Sequence, residues 1–230
     1  MIETLLKLDY TPFLISLKLS FITTLILFIL VLPLAYFMAY RDFKGKNALE
    51  AIFSLPLVLP PSVLGFYLLV FLSPYSFFGK FFDETFGVRL VFNFSGLVIA
   101  SCIYSLPFMF QPLVSGFRGL NKNLIEASYS LGKGRLTTLF RVALPSIKPS
   151  LLTALVISFA HTMGEFGVVL MIGGSVSEKT KVASIAIYEA VELLDFRLAH
   201  IYAGIMLIIS FCVLFAVYFL NSKKAKFTSI

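Results

Sequence analysis

Charged side chains are scarce in this sequence. Only 13% of its 230 residues are Asp, Glu, Lys or Arg, whereas 59% are hydrophobic and the mean hydropathy is +0.94. Soluble domains carry about 25% charged and roughly 45–50% apolar residues. The composition therefore excludes a soluble globular protein and predicts a chain embedded in a lipid membrane.

Nucleotide-binding and catalytic motifs are also missing. No G-x-x-x-x-G-K-[ST] segment occurs, because Gly132-Lys133 is followed by Gly134 and not by a hydroxyl residue. Without that phosphate cradle, the chain is not expected to hydrolyse ATP by itself. The sequence also lacks a G-x-S-x-G elbow and an H-E-x-x-H helix, which argues against an intramembrane enzyme.

Cysteine is rare and has no spacing typical of a metal or redox site. Cys102 and Cys212 lie far apart, each within a long apolar segment. Such residues behave as small apolar side chains. We therefore predict no metal site and no disulfide chemistry.

Long uncharged segments are the dominant feature. Four stretches without a charged residue, and a fifth interrupted only by His161 and Glu165, exceed the ~20 residues that a helix needs to cross the hydrocarbon core. Their length, without the short alternation of barrel strands, favours helices. The sequence predicts an all-α, polytopic membrane helix bundle with five transmembrane helices near residues 13–40, 51–73, 95–117, 149–172 and 199–220.

The distribution of Lys and Arg predicts how these helices are oriented. Of the 19 basic residues, 12 lie in the segments 41–46, 118–148 and 223–226. The positive-inside rule places these segments in the cytoplasm. The N-terminus is then outside and the C-terminus is cytoplasmic. Because topology accounts for the net charge of +7, we do not interpret that charge as a nucleic-acid-binding patch.

The cytoplasmic loop 118–148 has a helical pattern of its own. Asn123 followed three residues later by Glu126 resembles a capping box and predicts a short helix over about 124–131. Gly132 suits the left-handed conformation that ends many helices. A compact, structured loop is therefore expected.

A second short helix is predicted after this glycine. Leu136, Leu139 and Phe140 have helical spacing, and Pro145 is expected to close the helix. From spacing alone, two interpretations remain open. The loop could lie on the lipid headgroups as an interfacial helix, or it could dock onto another protein.

The second predicted span contains Pro56, Pro60 and Pro61. Proline removes backbone donors and breaks or kinks a helix. Lipid tolerates such a break only where protein or water satisfies the freed carbonyls. The span is thus either a broken helix that lines a pathway or a bent packing helix.

The fourth predicted span contains His161 and Glu165, which are four residues apart and so are expected on one helical face. Ionisable residues inside a membrane are costly and usually face the bundle interior. Gly164 and Gly167 would permit close helix contacts. A hydrogen-bonding hinge near an outer gate is the favoured interpretation, with a structural pair as the alternative. A metal site or proton relay is disfavoured, because no further ligands accompany the pair.

The loop resembles the cytoplasmic coupling loop of bacterial ABC-importer permeases, the surface that docks onto the ATPase. Ser128 departs from the family pattern, which usually has a second alanine there, but one small residue replaces another. The matching residues, which the resemblance implies are ATPase-coupling residues, are Glu126, Ala127, Leu131, Gly132, Leu144 and Pro145.

Two further segments narrow the resemblance. Residues 55–63 and 163–174 are similar to the corresponding segments of molybdate ABC-transporter permeases, and tungstate and sulfate permeases are closely similar to these. The resemblance covers about 13–220 and implies a type 1 ABC importer transmembrane domain in the bacterial inner (plasma) membrane. Pathway or gate candidates are Pro56, Pro60, Pro61, His161, Gly164, Glu165 and Gly167.

The family implies partners that this chain does not encode. These are a second copy of the chain, two cytoplasmic ABC ATPase subunits and a periplasmic or extracellular molybdate-binding protein, with no nucleic acid. The chain is expected to bind no cofactor, because ATP and Mg would be held by the ATPase. Translocation would proceed by alternating access. A proton-coupled secondary carrier that uses His161 and Glu165 is the main alternative from another class of protein.

Overall fold

The computed structural model describes residues 8–225, with side chains described as far as residue 215. This part of the chain is all-helical and contains no strand. The helices are α1 Thr11–Tyr40, α2 Lys46–Ser54, α3 Pro61–Leu72, α4 Phe77–Phe86, α5 Phe94–Arg118, α6 Lys122–Ser130, α7 Arg135–Ser146, α8 Lys148–Gly164, α9 Gly167–Gly173, α10 Ala183–Glu192 and α11 Phe196–Ala225.

Three of the described helices are long and apolar enough to cross a membrane unaided. They are α1, α5 and the Phe196–Phe215 part of α11. Two bent pairs bring the number to five if each pair is one span. The all-helical membrane bundle that the sequence predicted is thus confirmed.

The second predicted span is broken at its prolines. Lys46–Leu57 and Pro61–Leu72 meet at 108°, and Leu55–Leu57 forms a 3₁₀ turn before the break. The 12 residues of α3 rise only about 18 Å, which is shorter than the ~30 Å hydrocarbon core. The prediction of a break is confirmed, and α3 needs the residues before it to complete a crossing.

The fourth predicted span differs from the continuous helix expected over 149–172. Helix α8 ends at Gly164, and a separate helix, α9, begins at Gly167. Glu165 is extended, with φ −65° and ψ 136°, so it lies outside both helices. The single-helix prediction was therefore wrong, because hydropathy alone does not register a two-residue interruption.

Two apolar clusters hold the helices together. The Phe117 cluster lies where α1 and α5 end and α8 begins, and the Leu97 cluster joins the other ends of α1 and α5 to α3, α9 and α10. In lipid, close packing rather than the hydrophobic effect holds helices together, which favours small residues at contacts. Accordingly, Ala35, Ala100 and Ala154 are completely buried.

Polar contacts tie α2 to the beginning of the loop 118–148. The Arg118 guanidinium donates to the carboxylate of Glu50, and the Gln111 side chain donates to the Ser54 hydroxyl at 2.6 Å. In the preceding turn, a hydrogen bond from Lys46 lowers the pKa of the exposed Asp42 carboxyl. Helix α2 is thus clamped against the end of α5 from which the loop emerges.

We predict that the ion pair between Arg118 and Glu50 can form again when the two charges are exchanged. Arg118→Glu or Glu50→Arg alone should lower the free energy of unfolding by up to about 1 kcal/mol, because the pair is partly exposed. The double reversal should recover most of that loss. Thermal unfolding of the purified chain in detergent measures the cycle. A double variant no more stable than the single variants would show that the pair contributes nothing.

Candidate functional site

Helix α6 begins two residues earlier than a capping box at Asn123 would allow. The helix spans Lys122–Ser130, and the Asn121 side chain accepts a hydrogen bond from the Asn123 backbone N–H at 3.0 Å. The capping-box prediction was therefore wrong, because Asn121 is itself a preferred N-cap residue. Glu126 lies inside the helix and its side chain is exposed.

Gly132 has the left-handed conformation predicted for it, with φ +71°. Its N–H donates to the Tyr129 carbonyl at 2.9 Å, and the Lys133 N–H donates to the Ser128 carbonyl at 3.1 Å. These bonds satisfy carbonyls that the end of α6 would otherwise leave free. An L side chain at this φ is strained, although the space around the glycine is open.

Helix α7 continues past the proline that was expected to end it. Leu139–Ala143 forms a π-helical turn, and Pro145 lies within the final turn, Leu144–Ser146. Proline clashes with the carbonyl four residues earlier in an α-helix, and a wider turn relieves that clash. Pro145 is exposed, whereas Leu144 packs against the Phe117 cluster. Leu144 is thus a packing residue.

A buried hydroxyl pair joins α6 to α7. The Ser128 and Thr138 hydroxyl oxygens are 2.9 Å apart, and both residues are buried. Ser128 is the position at which the sequence departs from the family pattern. The departure therefore adds a side-chain hydrogen bond between the two loop helices, which an alanine could not make.

Exposed apolar side chains cover the tip of the loop. Leu131 and Leu136 are 76% and 71% exposed, and Phe140 is exposed as well. A groove of about 300 Å³ lies beside them, with Lys133 and Arg141 among the residues that line it. We call Glu126, Ala127, Leu131, Leu136 and Phe140 the loop surface. Contiguous exposed apolar patches on a protein mark interaction sites.

Two residues of the loop surface were not among the predicted coupling residues. Leu136 and Phe140 were identified in the sequence as one helical face, but the direction of that face could not be inferred from spacing. The fold leaves Leu136 and Phe140 uncovered, whereas Leu139 of the same face packs on the Phe117 cluster. The signal that could have identified these residues was a pair of large apolar side chains in an otherwise basic loop.

The second candidate site is a cavity of about 490 Å³ at the junction of α8 and α9. It brings together five of the predicted pathway residues, whereas Pro56 and Pro60 are not among the residues that line it. The lining residues are Pro61, Tyr104, Ala160, His161, Gly164, Glu165, Phe166 and Gly167.

His161 is held rigidly at the wall of this cavity. Its Nδ1 is 2.9 Å from the Ser105 hydroxyl, and its ring stacks on Phe108 with centroids 3.9 Å apart. Ser105 also lies 2.9 Å from the Thr162 hydroxyl. These contacts fix the imidazole between α5 and α8.

Glu165 is buried and has no side-chain partner. The residue is 5% exposed, and neither carboxyl oxygen has a hydrogen-bond partner among the described residues. The Ser184 hydroxyl donates instead to the Glu165 backbone carbonyl at 2.6 Å. The prediction that His161 and Glu165 share a helical face was wrong, because α8 ends between them. The break nevertheless brings both residues to one cavity, where an unpaired buried carboxyl is costly.

Close backbone contact joins the two interrupted spans beside the cavity. A Cβ on Gly167 would lie 2.7 Å from the Pro61 Cβ, and one on Gly65 would lie 3.0 Å from Met171. Helix α9 therefore packs on α3 at glycines. Gly164 differs, because a Cβ there would meet no atom within 4 Å.

The chain belongs to the family of binding-protein-dependent transport system inner membrane components, which it matches over residues 31–226. It is therefore an inner-membrane subunit of a transport system and not an enzyme. Such a system depends on a separate binding protein, as the family description states.

Two relatives and one solved structure define this similarity further. The chain is 42% identical over 218 residues to the molybdenum transport system permease protein ModB of Azotobacter vinelandii, covering 95% of this chain and 96% of the relative. It is 29% identical over 209 residues to the sulfate transport system permease protein CysT of Salmonella typhimurium, and the match covers 91% of this chain and 75% of that relative. The inward-facing MetNI methionine ABC transporter has a TM-score of 0.73 at 18% identity, covering 96% of this chain and 97% of that chain. This last likeness establishes the fold alone.

We predict that an added methyl group lowers the free energy of unfolding at Gly167 but not at Gly164. Gly167→Ala should cost about 1–3 kcal/mol through overpacking against Pro61. Gly164→Ala, the matched control, should leave the free energy of unfolding unchanged or slightly raised. Thermal unfolding in detergent measures both, and equal destabilisation would contradict the packing described here.

Proposed function

We propose that this chain is the permease subunit of an ATP-driven importer that translocates molybdate by alternating access. The observation that supports molybdate as the substrate is the 42% identity to a molybdenum permease along nearly the full length of both chains. The observation that carries the mechanism is the loop surface, an exposed apolar patch on a rigid pair of helices. Tungstate and sulfate are the competing substrates, sulfate because of the likeness to CysT.

In this proposal the loop surface docks onto a cytoplasmic ATPase. The chain has no phosphate cradle, so ATP and Mg are bound by that partner and this chain holds no cofactor. Leu131, Leu136 and Phe140 supply apolar area for docking, and Glu126 supplies a charge at its edge. The proposed orientation, with this loop in the cytoplasm, follows the distribution of basic residues.

A continuous mechanical connection links the loop surface to the cavity. Helix α7 meets α8 at a bend of 78°, and the residue between them, Ile147, is buried. The 17 residues of α8 then rise about 25 Å to Glu165. Because α8 packs along α1 and α5, movement of the loop would be transmitted as a rigid displacement to the break beside the cavity.

The cavity is proposed as part of the translocation pathway. Its volume of about 490 Å³ leaves room for several water molecules at about 30 Å³ each. No Lys or Arg is among its lining residues. Tight binding of a dianion requires such cations or arrays of N–H donors. The cavity is therefore suited to conduct the anion, and the external binding protein selects it.

Two copies of the chain are proposed to enclose the pathway. The Phe196–Phe215 part of α11 is largely unburied within one copy, and Val58 at the break before α3 is exposed. An interrupted helix in the membrane requires cover from protein or water. A homodimer places a second copy against this break, and closed two-fold symmetry is the commonest arrangement of identical subunits.

Uptake by the reconstituted assembly tests this function. The chain is combined in liposomes with its ATPase and binding protein, and labelled molybdate uptake is measured with and without ATP. We expect ATP-dependent uptake that tungstate inhibits strongly and an equal concentration of sulfate inhibits weakly. Equal inhibition by sulfate would show that the assembly does not discriminate between molybdate and sulfate, which would contradict the proposed molybdate specificity. Uptake without the ATPase would instead favour the proton-coupled carrier.

A glycine pair in the loop provides a matched test of docking. Gly132→Val places a β-branched residue at φ +71° and should distort the loop surface, at about 1–2 kcal/mol of local strain. Gly134→Val, at φ −71° and ψ 166°, needs no such strain, and neither added Cβ has a neighbour within 4 Å. We expect uptake and ATPase co-purification to be lost only in the first variant. Normal uptake by Gly132→Val would refute the docking assignment.

Charge reversal on the same surface gives an independent test. Glu126→Lys should abolish ATP-dependent uptake and leave membrane insertion intact, because Glu126 is exposed and packs against nothing in the core. Glu192→Lys reverses an exposed glutamate on α10, outside the cytoplasmic loop, and serves as the control. Labelled molybdate uptake is measured for each variant, and circular dichroism measures its helicity. An active Glu126→Lys variant would count against docking at this site.

A further inference from the structure

Helix α4 is a short helix with well-defined ends between the second and third spans. The Ser76 hydroxyl accepts a hydrogen bond from the Gly79 N–H at 2.9 Å, which caps its beginning. Gly87, at φ +64°, ends it. Five of its ten residues are phenylalanine. No part of the proposed function uses this helix.

The end of α3 fixes the position of α4. A Cβ on Gly79 would lie 2.1 Å from the Ser73 carbonyl oxygen, so only glycine permits this contact. Phe78 and Phe82 pack on the Leu97 cluster, and Phe71 of α3 stacks on Phe78 with centroids 4.6 Å apart. Helix α4 is therefore attached rigidly, with half of its aromatic face turned inward.

The other three phenylalanines of α4 are exposed, and Phe86 is 62% exposed. Phe77 is 93% exposed and Phe81 is 49% exposed. Lys80 and Asp83 lie on the arc next to this aromatic edge, and Glu84, seven residues after Phe77, borders both. Lys80 Nζ lies 3.6 Å from Glu84 Oε1, and Asp83 pairs at 3.5 Å with Arg89, which follows the helix. The helix is thus amphipathic, with an exposed aromatic edge beside a charged face.

We propose that α4 is a membrane-surface helix whose Phe77 and Phe81 rings insert into the acyl–headgroup boundary of one leaflet. Its aromatic edge continues the exposed apolar face of α3, where Phe66, Tyr67 and Val70 would meet lipid. The helix starts five residues after α3 ends, so it lies at the depth of a membrane surface. Aromatic side chains are favoured at that depth.

The charge of the segment favours lipid insertion over electrostatic docking. Residues 74–89 contain Lys80 and Arg89 against Asp83 and Glu84, so the segment has no net charge. Its four charges are also paired with one another. Binding should therefore depend on apolar area and be insensitive to the content of anionic lipid. The inference requires only that the chain is a membrane protein, so it stands apart from the transport proposal.

Tryptophan fluorescence tests this placement cleanly, because the chain contains no tryptophan. Phe77→Trp and, as the matched control on the charged face, Asp83→Trp are made in the full-length chain and reconstituted in phosphatidylcholine liposomes. Brominated lipids with bromine near the headgroup or deep in the acyl chain report depth, and iodide reports exposure to water.

We expect Phe77→Trp to be quenched at least about twofold more by shallow bromines than by deep ones, and to be shielded from iodide, as for a ring at the acyl–headgroup boundary. Asp83→Trp should show the reverse sensitivity to lipid and water. Adding anionic lipid should change neither result. Equal iodide quenching of both variants would overturn the proposal. So would a Phe77→Trp ring shielded from iodide and from every bromine, since protein would then cover it.

Discussion

Every backbone polar group inside a membrane must find its partner within the protein, and this constraint organises the whole chain. Continuous helices meet it along α1, α5 and most of α11. The chain departs from continuous helix at two places inside its spans, before Pro61 and at Glu165–Phe166. Both departures adjoin one cavity, where Gly167 packs on Pro61. Because the single chain leaves the break before Pro61 exposed, a second copy or water must complete its cover, and the pathway is proposed there.

The loop surface and the cavity are opposite ends of one packed unit. The Ser128–Thr138 pair holds α6 on α7, the buried Ile147 joins α7 to α8, and contacts along α5 guide α8 towards the break. Closely packed elements move as rigid bodies, so hinges form where helices are interrupted. A partner that displaces the loop would therefore act on the Glu165 break, although the two lie far apart.

Local sequence signals predicted much of this arrangement, and their failures have identifiable causes. Gly132 was predicted correctly, because a left-handed helix end strongly favours glycine. Pro145 was not, because a π-helical turn accommodates a proline that would end an ordinary helix. The pairing of His161 with Glu165 was expected from helical spacing. The two side chains do not pair, and both line one cavity because the helix stops between them.

The sequence by itself determined the membrane class, the helical fold, the approximate spans and the family, because these depend on composition and on residues close together in the chain. Only the tertiary structure decided which apolar side chains remain uncovered, such as Leu136 and Phe77, and which polar groups are buried without a partner, such as the Glu165 carboxyl. Those properties depend on which helices pack against one another. A one-dimensional pattern gives the spacing of a helical face but not what that face meets.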